Sequence, residues 1–268
     1  MNLPKIILLY ITLLGSSLGY AQSTSRPWNG KKCAVVLTYD DALNIHLDQV
    51  IPALDSFRFK GTFYLIAASP VVADRMDDWR AAANEGHELG NHSLNHPCDG
   101  TLPGRGFVTP ETDLSRYSVA RAVNEIRIAN TLLKALDGKE ERTFAYPCGD
   151  LTIGETRFYD SLKDDFVAAR GVTSGYPSLN AIDLTDVTAF SQHQTTAAQM
   201  IAQIEAAEKV GSLVVFLFHG VGGEHSLNVS REEHRKLLVY LKKRENDLWV
   251  APMVEVAKYI KAQQGASH

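Results

Sequence analysis

The 268-residue chain predicts an α/β fold: a deformed (β/α) barrel of about seven strands, in a single domain. Three observations carry that expectation. Short apolar runs alternate with segments of helical periodicity. The length suits an α/β barrel built as one unit. Polar residues able to do chemistry directly follow several of the apolar runs, as they do in barrels that place their sites at the carboxyl ends of the strands.

In chain order, strands are expected at 33–38, 62–66, 88–92, 143–146, 166–169, 213–218 and 248–250. A helix is expected over 42–56. Val119, Val123, Ile126, Ala129, Leu132, Leu133 and Leu136 recur at three- and four-residue steps, the mark of a helix with one buried face. Met200, Ile201, Ile204 and Ala207 give a second such helix, Leu237, Leu238 and Leu241 a third, and the stretch from Val254 to Ile260 a last one. Residues 99–118, rich in Gly, Pro and Thr, form the one long irregular segment and are expected to overhang the site.

The amino terminus has a different character. Lys5 precedes an apolar stretch over 6–18, and Gly19-Tyr20-Ala21 places small residues before a cut at Gln22. This pattern predicts a cleavable secretory signal over 1–21, export to the periplasm or outside the cell, and a catalytic domain over 22–268. Gly15-Ser16-Ser17 interrupts a run already short for a membrane span, so no stable membrane insertion is expected after cleavage. Apolar residues make up 45% of the chain, enough for a sizeable core, and the net charge of −4 comes without long runs of one sign. That balance speaks against nucleic acid or an anionic membrane as a partner. The oligomeric state is not legible in the sequence. The three cysteines, Cys33, Cys98 and Cys148, allow one internal disulfide at most. A Cys98–Cys148 bridge and three reduced thiols packed as small apolar groups are both open.

The chemistry concentrates in three places. His92 and His96 are four residues apart, Asp40-Asp41 closes the first apolar run, and His219 closes the sixth. Two imidazoles and a carboxylate make a ligand set for a divalent metal with positions left open for water and substrate. The remaining aspartate and histidine are free for proton transfer, which completes the inventory of a metal-dependent hydrolase. Neighbouring side chains at a strand end are expected to point to different sides, so Asp40 and Asp41 can do different jobs. Taken alone, the pair also reads as a helix N-cap. His46 and His87 read as structural, and His193 and His234 lack a partner in sequence. His225, in the Gly-rich loop after His219, is the one other histidine positioned to approach substrate. Trp79 and Trp249 read as packing residues, and Trp28 is given no role in a cleft.

These motifs resemble those of the polysaccharide deacetylases of carbohydrate esterase family four, the NodB-homology domain. Thr38-Tyr39-Asp40-Asp41-Ala42 is similar to the family's first motif and His92-Ser93-Leu94-Asn95-His96 to its second. Phe144-Ala145-Tyr146-Pro147-Cys148-Gly149 resembles its third, and Leu217-Phe218-His219 its last. The resemblance spans residues 32–260. It implies a divalent metal, zinc first with cobalt or nickel as alternatives, held by Asp41, His92 and His96. It further implies Asp40 as general base, His219 as general acid, and the backbone N–H of Cys148 as an oxyanion donor worth roughly 3 kcal/mol. The implied substrate is an acetylated carbohydrate, with an amino-sugar N-acetyl group first and an O-acetyl ester such as acetylxylan second. A homologue that binds sugar without catalysis is the rival from another class, and a phosphoesterase lacks the basic cluster it would need.

Two departures bear on this. The family's third motif carries an Arg directly after the Phe, where this chain has Ala145, and its fourth motif, with Asp and Trp, has no clear counterpart. Arg170 is the candidate to supply the missing charge, the alternative being a surface side chain. Ala42 replaces the family's Gly, which is mild unless the turn requires φ > 0.

Overall fold

A computed structural model describes residues 27–266; the signal expected over 1–21 lies outside them. The elements run β1 (Cys33–Asp40), α1 (Ile51–Ser56), β2 (Thr62–Leu65), α2 (Pro70–Asp74), α3 (Met76–Asn84), β3 (Glu88–Asn91), α4 (Val119–Asp137), β4 (Phe144–Ala145), β5 (Ala169–Arg170), β6 (Phe190–Ser191), α5 (Ala197–Val210), β7 (Leu213–Phe218), α6 (Arg231–Lys243), β8 (Leu248–Val250) and α7 (Met253–Gly265). All the pairings among these strands are parallel, in the order β5-β4-β3-β2-β1-β7-β6, with β8 also paired to β1. This is the deformed (β/α) barrel that the alternation predicted.

β1 is the axis of the sheet. All eight of its residues are buried, so the strand reads as a continuous apolar run. β7 flanks it from Ala34 to Tyr39; on the other side β8 pairs with its first residues and β2 with Thr38, Tyr39 and Asp40. Period-two alternation sorts its side chains into two cores. Val35, Leu37 and Tyr39 face one layer with Phe63, Phe216, Leu237 and Leu241. Ala34 and Val36 face a second with Val215, Leu217, Val187 and the α7 residues Met253, Val256 and Ile260. Thr38 and Asp40 continue that second face upward, so Asp40 stands at the top of the barrel interior. Val187 bridges to Arg170 beside β5, only a few residues before the chain enters β6 at the opposite sheet edge. The two edges are thereby drawn together.

Glu88 ties the lower part of the barrel. Its buried carboxylate accepts from Thr62 Oγ1, from the N–H and Oγ1 of Thr143, and from the Val254 N–H at 2.7–2.8 Å. Four donors offset the cost of burying a charge. Helix ends follow local rules. Ser118, Thr196 and Ser230 cap α4, α5 and α6, and Gly138 and Gly211 close α4 and α5 with left-handed φ.

Several expectations change. The sheet has an eighth strand, β6, whose two residues carry no apolar run of their own. The strand expected at 166–169 forms only at Ala169–Arg170. The helix expected over 42–56 begins two residues later, at 44, and runs through a π-helical turn at His46–Val50 into α1, because Asp41 and Ala42 take left-handed φ of 80° and 55°. Alanine therefore occupies a position that favours glycine, and the Gly-to-Ala departure is not mild. α2 and α3 fill the β2–β3 connection, with Trp79 buried beneath them. Trp28 is fully buried and donates to the Gly211 carbonyl at 2.8 Å, so it lines no cleft. Among the described residues no helix is long and apolar enough to cross a membrane.

Candidate active site

A cavity of about 880 Å³ opens at the carboxyl ends of the strands. Asp40, Asp41, His92, His96, Cys148 and His219 all line it, and so does His225. Every residue singled out for the site from sequence, Arg170 excepted, reaches this one space. Arg170 lies behind it, fully buried.

Strand alternation would send Asp40 and Asp41 to opposite sides, yet both face the cavity. The left-handed φ at Asp41 turns the second carboxylate back. The pair is not a helix cap, since the next helical residues begin at 44, with Ala42 and Leu43 between them and Asp41. His92 and His96 stand on a turn that its own side chains stabilise. Asn91 Oδ1 accepts the Ser93 N–H at 2.7 Å and Ser93 Oγ accepts the His96 N–H at 2.9 Å. The Asn91 amide in turn donates to Ile126 O and Asn130 Oδ1 on α4. Ser93 and His96 take φ of 65° and 53°, a local strain that the surrounding bonds hold in place.

Asp41 Oδ1, His92 Nε2 and His96 Nε2 lie within 4.8 Å of one another. Asp41 Oδ1 is 3.5 Å and 3.6 Å from the two nitrogens and is buried with no hydrogen-bond partner. The His92 Nδ1–H donates to the Ala145 carbonyl at 2.8 Å, which leaves Nε2 bare with its lone pair in the cavity. Burial pushes the His92 pKa down to about 3, so the ring is neutral. Burial also raises the Asp41 carboxyl, and the nearby Asp40 charge adds to this. Two neutral imidazoles and an unpartnered buried carboxylate oxygen fit a divalent cation.

Asp40 Oδ2 takes a 2.5 Å hydrogen bond from Arg170 Nη2, both groups being buried. Burial alone would raise this carboxyl; the Arg170 guanidinium, with His92 and His219, outweighs it and holds Asp40 below the usual carboxylate range. The strand register explains how. Arg170 on β5 is the direct partner of Ala145 on β4. The guanidinium reaches Asp40 from one strand further out, donating also to Gly171 O and lying 5.0 Å from the Tyr64 ring centroid.

His219 presents Nε2 at 3.9 Å from Asp41 Oδ2, while its Nδ1 is buried without a partner. Burial is the main cause of its lowered pKa. His225 stacks on it, with ring centroids 4.6 Å apart and planes at 11°. His46 is structural, as expected. Its Nδ1 accepts the Leu43 N–H, so its Nε2–H donates to the His219 carbonyl at 2.8 Å. His87 accepts the Gly61 N–H, His234 bonds the Tyr39 hydroxyl at 2.7 Å, and His193 accepts the Asn228 N–H.

The segment 99–118 does overhang the site, with Pro103, Gly104, Arg105 and Phe107 in the cavity wall. Cys98 and Cys148 are disulfide-bonded, and Cys33 is a buried free thiol. Arg105 reinforces the clamp by donating to Cys148 O and Asp150 Oδ1. Sequence reasoning gave no role to Phe107, which is 64% exposed at the cavity mouth, or to Glu224, which pins the His225 loop. A lone aromatic in an irregular loop and an acid in a Gly-rich one carry no periodic signal.

A family model described as polysaccharide deacetylase matches residues 29–161. A curated relative, the peptidoglycan-N-acetylglucosamine deacetylase of Bacillus cereus, is 22% identical over 204 residues, covering 71% of this chain and 66% of that protein. The chain spans 9% to 66% of the length of the curated relatives it matches, less than two thirds in each case. Among solved structures, the peptidoglycan deacetylase PdaC of Bacillus subtilis superposes with a TM-score of 0.54 at 16% identity, over 87% of this chain and 94% of that one. PuuE allantoinase superposes with 0.62 at 12% identity, over 94% and 98%. At these identities the superpositions show the fold alone.

Proposed function

Because this chain belongs to the polysaccharide deacetylase family, we propose that it is an exported, metal-dependent hydrolase of N-acetyl groups on an amino-sugar oligo- or polysaccharide. The observation that carries the reading is the convergence of Asp41 Oδ1, His92 Nε2 and His96 Nε2, with Asp40 beside them. These three residues would hold the ion, zinc first by its preference for nitrogen and carboxylate ligands, with cobalt or nickel as alternatives. A divalent ion there supplies Lewis acidity toward an acetyl carbonyl and makes water more acidic.

The remaining steps belong to the chain. Asp40, kept ionised by Arg170, is the general base that removes a proton from the attacking water. His219 Nε2, facing the same cavity, hands a proton to the departing amine. The Cys148 N–H, on a turn held at φ 57° and tied to Cys98, is the donor for the oxyanion. Segment 1–21 is the export signal and 22–268 the catalytic domain in this reading. The name of the Bacillus cereus relative supports N-acetylglucosamine in a wall polymer as the first substrate to try.

Acetate release from N-acetylated glycans tests the proposal. Chelator is expected to abolish release and zinc to restore it; activity indifferent to metal stripping would overturn it. One observation favours a second reading. His219 Nδ1 lacks the carboxylate partner that would keep its ring protonated and ready to donate, and an alkoxide leaves with less acid help than an amine. Acetylxylan assayed beside chitooligosaccharides separates the two, with His219→Ala expected to cost the amide about 10²- to 10⁴-fold and the ester less.

A further inference from the structure

We infer that His225 is a substrate-binding residue whose Nε2–H donates a hydrogen bond to a hydroxyl oxygen of the sugar that carries the acetyl group. This rests on the deacetylase reading above and assigns that site a specificity contact. Four observations carry it. The first is the loop itself. Gly222, Gly223 and Glu224 take φ of 83°, 142° and 65°, a left-handed run that ordinary loops avoid. The Glu224 carboxylate fixes it to the chain just past Asp41, accepting from the Asn44 N–H, Asn44 Nδ2 and the Ile45 N–H at 3.1, 2.8 and 2.6 Å.

The second observation is the tautomer. Two backbone groups of Leu227 approach His225 Nδ1, and the N–H, which can only donate, is the nearer at 3.0 Å against 3.3 Å for the carbonyl oxygen. Nδ1 is therefore the acceptor and the neutral ring carries its proton on Nε2. A nitrogen in that state has no lone pair for a metal, so His225 acts as a donor and not as a fourth ligand.

The third is the aim of that donor. Stacking on His219 holds the ring with Nε2 in the cavity, 3.6 Å from Asp41 Oδ2, beyond hydrogen-bonding distance. Among the described residues no acceptor lies within bonding distance of it. The fourth is that few side-chain donors share the cavity, chiefly the Ser191 and Ser226 hydroxyls besides His219, the Tyr146 hydroxyl being committed to the Thr185 carbonyl. Much of the surrounding wall is apolar (Phe107, Val172, Leu217 and Leu227), and Arg105 is committed to Asp150 and the Cys148 carbonyl. A few placed polar groups in an apolar wall are how such pockets set orientation.

His225→Ala and His225→Gln test this. KM and kcat for acetate release from chitooligosaccharides are measured together with zinc content. Calorimetric affinity for the same oligosaccharides is measured in an Asp40→Asn background. His225→Ala is expected to raise KM and weaken affinity about 10-fold, the worth of one neutral hydrogen bond at about 1.4 kcal/mol, with kcat within about twofold. His225→Gln, which keeps an N–H donor, should recover most of the loss, and zinc content should not change in either variant. Unchanged KM and affinity, a fall in kcat alone, or loss of zinc would each overturn the inference. Wild-type protein that neither binds nor deacetylates any glycan overturns both readings; acetate release that His225→Ala leaves unaltered overturns this one only.

Discussion

Arg170, the register partner of Ala145 on the adjacent strand, brings its guanidinium onto the Asp40 carboxylate. The pair is buried, so each partner depends on the other, and removing one from such a pair typically costs about 3–5 kcal/mol. The sign is set by the carboxyl. Arg170 holds Asp40 below its ordinary pKa against the pull of burial, so losing the guanidinium lets burial raise it. Arg170→Ala is therefore expected to move the acidic limb of the kcat/KM profile upward by about one pH unit or more. Urea unfolding at neutral pH should fall by about 3 kcal/mol. An unmoved limb would show that Arg170 does not act on Asp40. Ala42 is the other telling residue: at φ 55° in a fully buried turn, it holds a conformation costly for any residue but glycine.

The connecting segments around the cavity are held as firmly as the strands beneath them. Cys98 lies two residues after His96, and Cys148 stands on the turn after β4, so their disulfide joins the turn that carries His92 and His96 to the turn after β4. Asp150 adds to the clamp by accepting the Asp99 N–H at 2.8 Å and the Arg105 guanidinium. The bridged cysteines are 50 residues apart, and closing a loop of that length is worth about 4 kcal/mol in the chain-entropy model. The Cys98→Ser/Cys148→Ser double variant should lose up to that amount in denaturant unfolding. Its segment over 99–113 should become the first site of limited proteolysis. Unaltered stability and an uncut loop would show that Arg105 and Asp150 hold the segment alone.

Three buried histidines, His46, His87 and His234, tie stability of the whole molecule to pH. Burial lowers each to about 4. In the unfolded chain their pKa is about 6.5, so between these values the unfolded state binds more protons and stability rises with pH. Their full contribution is present above about pH 6.5 and is lost as pH falls toward 4, at about 3 kcal/mol each. Thermal unfolding from pH 7 to 4 should show a steep decline in Tm across that window. His234→Gln, which keeps a neutral partner for the Tyr39 hydroxyl, should make the decline shallower, and an unchanged slope would remove His234 from the account.

Short apolar runs and helical periodicity made most of the barrel legible in the sequence, because a strand buried on both faces and a helix buried on one write that burial directly into neighbouring residues. The strand-end aspartates and histidines were legible for the same reason: each follows its own apolar run in sequence. The partnership of Arg170 with Asp40 spans 130 positions and depends on the β4–β5 register. The burial of Trp28 depends on Gly211. The return of Asp41 into the cavity and the aim of His225 depend on left-handed turns. A chain records which residues sit beside each other along the backbone. Which ones meet across strands, and which way a strained turn points, was settled only by packing.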